Sequence, residues 1–108
     1  MVKLLYITCG NEEEAFKLAN TMLAEKLIAC ANILGGSTSI YKWQGEIQQQ
    51  KEVVLFAKTS TEKVEKASSR ARELHPYEIP CILILPIEGG NPEFIEWVKS
   101  EVLDGSSA

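Results

Sequence analysis

A chain of 108 residues, 45% apolar and 24% charged, has the size and composition of one soluble globular domain. Its 11 basic and 15 acidic residues leave a net charge of −4, which argues against the concentrated basic patch that a nucleic-acid partner requires. No apolar run reaches the roughly 20 residues that span a bilayer, so no membrane partner is expected, and three widely spaced cysteines fit free thiols in a reducing, cytoplasmic setting better than a disulfide framework.

The opening run "VKLLYIT" (Val2 to Thr8) is short, apolar and rich in strand formers, and reads as a strand buried on both faces rather than a signal peptide. "CGN" breaks it. Asn11 is placed to cap a helix, with Glu14 three residues on as its capping-box partner, and Ala15, Leu18, Ala19, Met22 and Leu23 form one apolar stripe to about Lys26. From Cys30 to Trp43 the helical period is lost, and Gly35-Gly36 marks a bend or bulge in an extended segment. Gly45 in "WQGE" reverses the chain, and Glu46 to Thr59 runs back, polar first and apolar after, so the two runs make one long hairpin. Ser60 or Thr61 caps a second helix carrying Val64, Ala67, Ala71 and Leu74, which Pro76 ends because a residue before proline leaves the α region. Ile79 to Pro86 reads as a second buried strand. Asn91 and Pro92 open a third helix bearing Phe94, Ile95, Trp97, Val98 and Val102. Residues 1–103 form a single domain, and 104–108, "DGSSA", are expected to fray as a tail. The order β-α-β-β-α-β plus a final helix is the split-βαβ, ferredoxin-like plan, an α+β sandwich with two helices on one face of a four-stranded sheet.

The hairpin is too long for this plan. Two runs of about 13 residues would each span roughly 43 Å, whereas a solid sphere of this chain's expected radius of gyration, near 13 Å, is only about 34 Å across. The overhang near the turn carries Ile40, Tyr41, Trp43 and Ile47. An isolated two-stranded ribbon is marginal in water and its edges invite pairing, so the arm is expected to pack on sibling chains, in a closed ring rather than a filament, unless it curls over its own sheet.

Five stretches taken together, "AEKLIACANI" (24–33), "YKWQGEI" (41–47), "KEVVLFAKT" (51–59), "HPYEIP" (75–80) and the late Trp97, resemble the CutA family of divalent-cation tolerance proteins over nearly the whole chain. The resemblance implies a ferredoxin-like homotrimer whose hairpins reach between subunits, and a link to tolerance of copper and other divalent metal ions.

Copper and zinc favour imidazole and thiolate, which makes His75, Cys9, Cys30 and Cys81 the candidate ligands. Cys9, read as a loop residue before a helix N-terminus, is where a thiolate is favoured. Cys30 and Cys81 sit in apolar surroundings and serve equally well as small buried hydrophobes. His75 ends a helix, where a cation suits the dipole; of the histidine pair that precedes Pro-Tyr in some CutA relatives, only His75 carries over, with Leu74 in the other place. "HPYEIP" is first of all a rigid corner, and metal binding is a second role for it.

Glu52 and Lys58 interrupt an apolar strand on the same parity, and buried charges need partners. The resemblance places them with Tyr41, Trp43 and Tyr77 near the family's inter-subunit cleft. Two readings stay open: a structural ion pair, or a site for a small anion or metabolite with Lys58 as its charge and Trp43 as its wall. No activated nucleophile, Ser-His-Asp spacing or metal-ligand helix is present, so no catalysis is expected. The function expected is a trimeric metal-binding protein of divalent-ion tolerance; the alternative is a small-molecule-sensing or structural trimeric module.

Overall fold

The computed structural model describes residues 1–104, in the order β1 (Val2–Cys9), α1 (Glu12–Ala24), β2 (Cys30–Trp43), β3 (Glu46–Ser60), α2 (Val64–Leu74), β4 (Ile82–Pro86) and α3 (Pro92–Glu101). The strands form one antiparallel sheet in the order β2-β3-β1-β4, the expected α+β arrangement. Asn11 caps α1 by accepting from the Glu14 amide at 2.8 Å, and Asn91 caps α3 through the Glu93 amide at 3.1 Å. Ser60 does not cap α2 directly: it ends β3, and its hydroxyl accepts from the amide of Lys63, the residue before the helix.

Residues of one parity on β1 and β3, Leu5, Ile7, Leu55 and Ala57, are fully buried against Ala15, Leu18 and Met22 of α1 and Val64, Ala67 and Ala71 of α2. The alanines of α2 let its backbone approach the sheet closely. The other face is only half covered, which corrects the expectation that β1 is buried on both sides: Leu4 and Tyr6 are half-buried, and Leu83 and Leu85 of β4 lie open. Val2, on this second parity, joins Ala29, Val98 and Val102 in a separate small cluster, so α3 covers one end of that face and leaves the rest.

β4 begins at Ile82 rather than Ile79. Pro80 has no amide to give a ladder, and the Thr8 amide reaching the Cys81 carbonyl at 3.3 Å is the first link to β1. The β2–β3 register shifts between Leu34 and Ser37, where the glycine pair bulges as expected. Beyond it the ribbon runs to Trp43 paired with Glu46, closed by a two-residue turn in which Gln44 (φ 49°) and Gly45 (φ 84°) are both left-handed, the geometry that matches strand twist. The molecule measures 48 × 26 × 22 Å with a radius of gyration of 14.6 Å, above the about 13 Å of a compact chain this long. Asp104, read as part of the tail, is tied to the domain by an ion pair with Lys63; the rest of that tail, 105–108, lies outside the described residues.

Candidate functional site

On the half-covered face, at the base of the ribbon, lies a cleft of about 710 Å³, with Tyr6, Tyr41, Trp43, Glu52, Tyr77 and Glu78 among its lining residues. Its floor is a hydrogen-bond chain running one way. The Tyr41 hydroxyl donates to Gln50 Oε1 at 2.9 Å, and Gln50 Nε2 donates to the Tyr77 oxygen at 3.0 Å. The Tyr77 hydroxyl then donates to Glu52 Oε2 at 3.0 Å, while Ser39 Oγ donates to Glu52 Oε1 at 2.6 Å. Every donor points toward the carboxylate, so the bonds polarise one another in the same sense. Glu52 is only 8% exposed. Burial first, then its bond to Glu52, pushes the Tyr77 hydroxyl up to about 12, so it stays a donor at neutral pH.

At the end of β1, on the helix side, a cavity of about 210 Å³ is lined by Cys9, Glu14, Leu74, His75 and Pro76 with neighbours from α1. His75 is buried, and both ring nitrogens are engaged: Nε2 lies 2.7 Å from the Thr8 carbonyl and Nδ1 accepts from the Tyr77 amide at 3.2 Å. A carbonyl demands a donor and an amide an acceptor, which assigns the proton to Nε2. Cys9 departs from expectation. It is the last residue of β1 rather than a loop residue, it is buried, and desolvation, with smaller contributions from Glu14 and Glu52, pushes its thiol up to about 11. Glu14 Oε2 is buried without a hydrogen-bond partner. Among the described residues no three histidine, cysteine, aspartate or glutamate side chains are arranged to hold a metal ion, so the group as it stands is not a ready metal site.

The predicted residues therefore divide. Tyr41, Trp43, Glu52 and Tyr77 meet in the cleft, and Cys9 and His75 meet at the end of β1. Cys30 is with neither pair: Cys9 is opposite Val53 and Cys30 opposite Lys58, five residues apart along β3, or roughly 16 Å. Cys30 is half-buried, and burial raises its thiol against the smaller opposing pull of Lys58. Lys58 also leaves the cleft. It lies six residues from Glu52 along the strand, roughly 20 Å away, and its ammonium is bonded to Asn32. Within one chain no lysine, arginine or histidine is among the described residues lining the cleft, so Lys58 meets Glu52 only if a second copy brings it there. Ser39 and Gln50 were not singled out from the sequence, and Glu14 was read only as the capping-box partner of Asn11. Parity held a clue for two of them, since Gln50 shares a face with Glu52 and pairs with Ser39.

The family described as "CutA1 divalent ion tolerance protein" matches residues 3–101. The divalent-cation tolerance protein CutA of Thermus thermophilus is 42% identical over 92% of this chain and 96% of its own. A CutA homolog of Xenopus laevis is 41% identical over 86% of this chain, which spans only 62% of that longer protein. A solved CutA1 divalent ion tolerance protein from Ehrlichia chaffeensis superposes with a TM-score of 0.91 at 36% identity, covering 94% of this chain and 95% of that one.

Proposed function

The chain belongs to the CutA1 divalent ion tolerance family, and from that premise we propose that it serves divalent-cation tolerance by binding the metal ion itself, copper foremost, as a cytoplasmic homotrimer without catalysis. The observation that carries this reading is the meeting of Cys9, Glu14 and His75 on one cavity: a thiol, a carboxylate with a free oxygen, and an imidazole. Thiolate and imidazole are the donors copper and zinc prefer. The metal is cargo here, not a resident cofactor. Its capture requires the His75 ring to leave the Thr8 carbonyl or the Tyr77 amide, and Cys9 to lose its proton. Both oppose binding, so affinity is modest at neutral pH and climbs as pH rises toward the thiol's range. Cys30 joins such a site only through another copy, being on the far part of the sheet. The exposed ribbon and the half-covered sheet face support the trimer, and three free cysteines support the cytoplasm.

Calorimetry with Cu(II), Cu(I) and Zn(II) on the wild type, His75→Ala and Cys9→Ser tests the assignment. Weaker binding in both variants is expected, and identical isotherms for all three proteins would remove both ligands. A second reading, a small-molecule-sensing module, is favoured by one separate observation, the aromatic-walled cleft around Glu52.

A further inference from the structure

A neutral imidazole has one N–H to donate and one nitrogen with a lone pair. In His75 both are in use. Nε2–H donates to the Thr8 carbonyl at 2.7 Å, and Nδ1 accepts from the Tyr77 amide at 3.2 Å. A metal ion binds the nitrogen that carries the lone pair, and the remaining N–H is usually held by a carbonyl or carboxylate that fixes the ring. The Thr8 carbonyl already plays that second part. Nδ1 is therefore the nitrogen left for a metal, and the Tyr77 amide is its competitor. The alternative route ends in the same place. If a metal takes Nε2, the proton moves to Nδ1 and meets the Tyr77 N–H, donor against donor. A ring that swings out altogether loses both bonds. Every mode of capture at His75 breaks its bond to Tyr77.

Tyr77 is not free to move aside. Its hydroxyl donates to Glu52 at 3.0 Å and accepts from Gln50 at 3.0 Å, and Gln50 accepts in turn from Tyr41 on the ribbon. Its ring stands edge-on to the imidazole, with centroids 4.6 Å apart. All of these links join residues of one chain, and none depends on whether the cleft is open or covered by a second copy. We infer that Tyr77 is a latch on metal capture, a positioning residue whose hydroxyl, anchored on Glu52 and Gln50, holds its amide on His75 Nδ1. The ion and the hydrogen-bond chain at the base of the ribbon then compete for one lone pair. The inference rests on the proposed capture at Cys9 and His75 and adds its sign: the anchor restrains capture, and by linkage capture loosens the anchor by the same factor. Such a site stays closed at trace metal and fills only in excess, which suits a role in tolerance.

The test uses the whole chain in its native assembly, with zinc chloride as the probe. Calorimetry compares the wild type, Tyr77→Phe and His75→Ala. Phenylalanine keeps the ring against the imidazole and removes only the anchoring hydroxyl. Tyr77→Phe should bind zinc about fivefold more tightly than the wild type, or better, whereas a merely structural role for the hydroxyl leaves the affinity equal or lower. Equal or weaker binding in Tyr77→Phe, with His75→Ala still impaired, overturns the latch and keeps metal capture. Identical isotherms for the wild type and His75→Ala, or no binding at all, remove capture at His75 and the latch with it. Should Tyr77→Phe lose its circular dichroism, NMR on the wild type decides. The chain has one histidine and three tyrosines, so isotope-labelling the nitrogens of these two residue types leaves few signals to follow. Without metal the proton should sit on Nε2. At zinc saturation the Nδ1 and Tyr77 amide signals should shift while the Tyr6 amide stays. A proton on Nδ1 in the metal-free protein, or a Tyr77 amide unmoved at saturation, overturns the inference.

Discussion

Tyr77 connects the two ends of the candidate site. Its hydroxyl donates to Glu52 and accepts from Gln50, its amide faces the His75 ring, and its own ring meets that imidazole edge-on at 4.6 Å. Gly10 makes room for it, since a Cβ there would come within 3.1 Å of the Tyr77 oxygen. Gly10→Ala should therefore cost about 1 kcal/mol in chemical denaturation, because Gln50 and Glu52 hold the hydroxyl that would have to give way. Tyr77→Phe should cost about 1–3 kcal/mol by leaving Glu52 and Gln50 short of a partner. Because Phe removes the atom that alanine would strike, the double variant should fall well short of the sum; full additivity would mean that Gly10 and Tyr77 are not in contact. A pH prediction follows from Cys9 and Tyr77, ordinarily near 9.0 and 10.0 and raised in the fold to about 11 and about 12. A raised folded value means the stabilising contribution is complete below about pH 9 and is lost as pH climbs through the folded values. Stability should fall between about pH 9 and 12, and Cys9→Ala should remove the earlier part of that fall; an unchanged slope in the variant would contradict the burial of the thiol. Little of this was legible in the sequence. His75 and Thr8 are 67 residues apart, and nothing local in "ELHPYEIP" says that both ring nitrogens are already taken.

Elements were far more legible than contacts, because their signals are local. Period-two alternation marks β3, the 3.6-residue stripe marks α1, and asparagine before an acidic or proline-led turn marks the starts of α1 and α3. Asn11→Ala should lower stability by about 1 kcal/mol in thermal or urea unfolding, through loss of the cap on the Glu14 amide. The early start assigned to β4 failed for an equally local reason: Ile79 and Cys81 look strand-like, but Pro80 between them cannot join a ladder. Lys58 shares a face with Glu52 by parity, and the family resemblance set both near an inter-subunit cleft; parity fixes the face and not the position along it, and within one chain the two stand six residues apart. The ribbon is the element whose sequence and surroundings disagree most. Ile40 and Ile47 are 65% and 74% exposed on a two-stranded arm, a poor arrangement for an isolated chain. Replacing both with lysine should leave the circular dichroism of the subunit intact and weaken its self-association, read as a lower mass by light scattering; an undiminished mass would place the contact elsewhere.

For the whole molecule the decisive feature is surface left uncovered. α1 and α2 seal one face of the sheet, α3 seals one end of the other, and Leu34, Leu83 and Leu85 remain open there beside the ribbon. A sheet face that apolar is normally packed against another layer. The 48 Å long axis stands against 26 and 22 Å for the others; in the proposed trimer the ribbon packs on a neighbour, and a closed ring of such contacts leaves no arm unpaired. Proposed metal capture bears on the same arrangement, since Cys30 joins the Cys9 and His75 site only across copies. Equilibrium sedimentation at micromolar concentration tests the assembly most directly. A trimer sediments as a single species of three times the 12.0 kDa chain mass, and a well-folded preparation at 12.0 kDa rules it out.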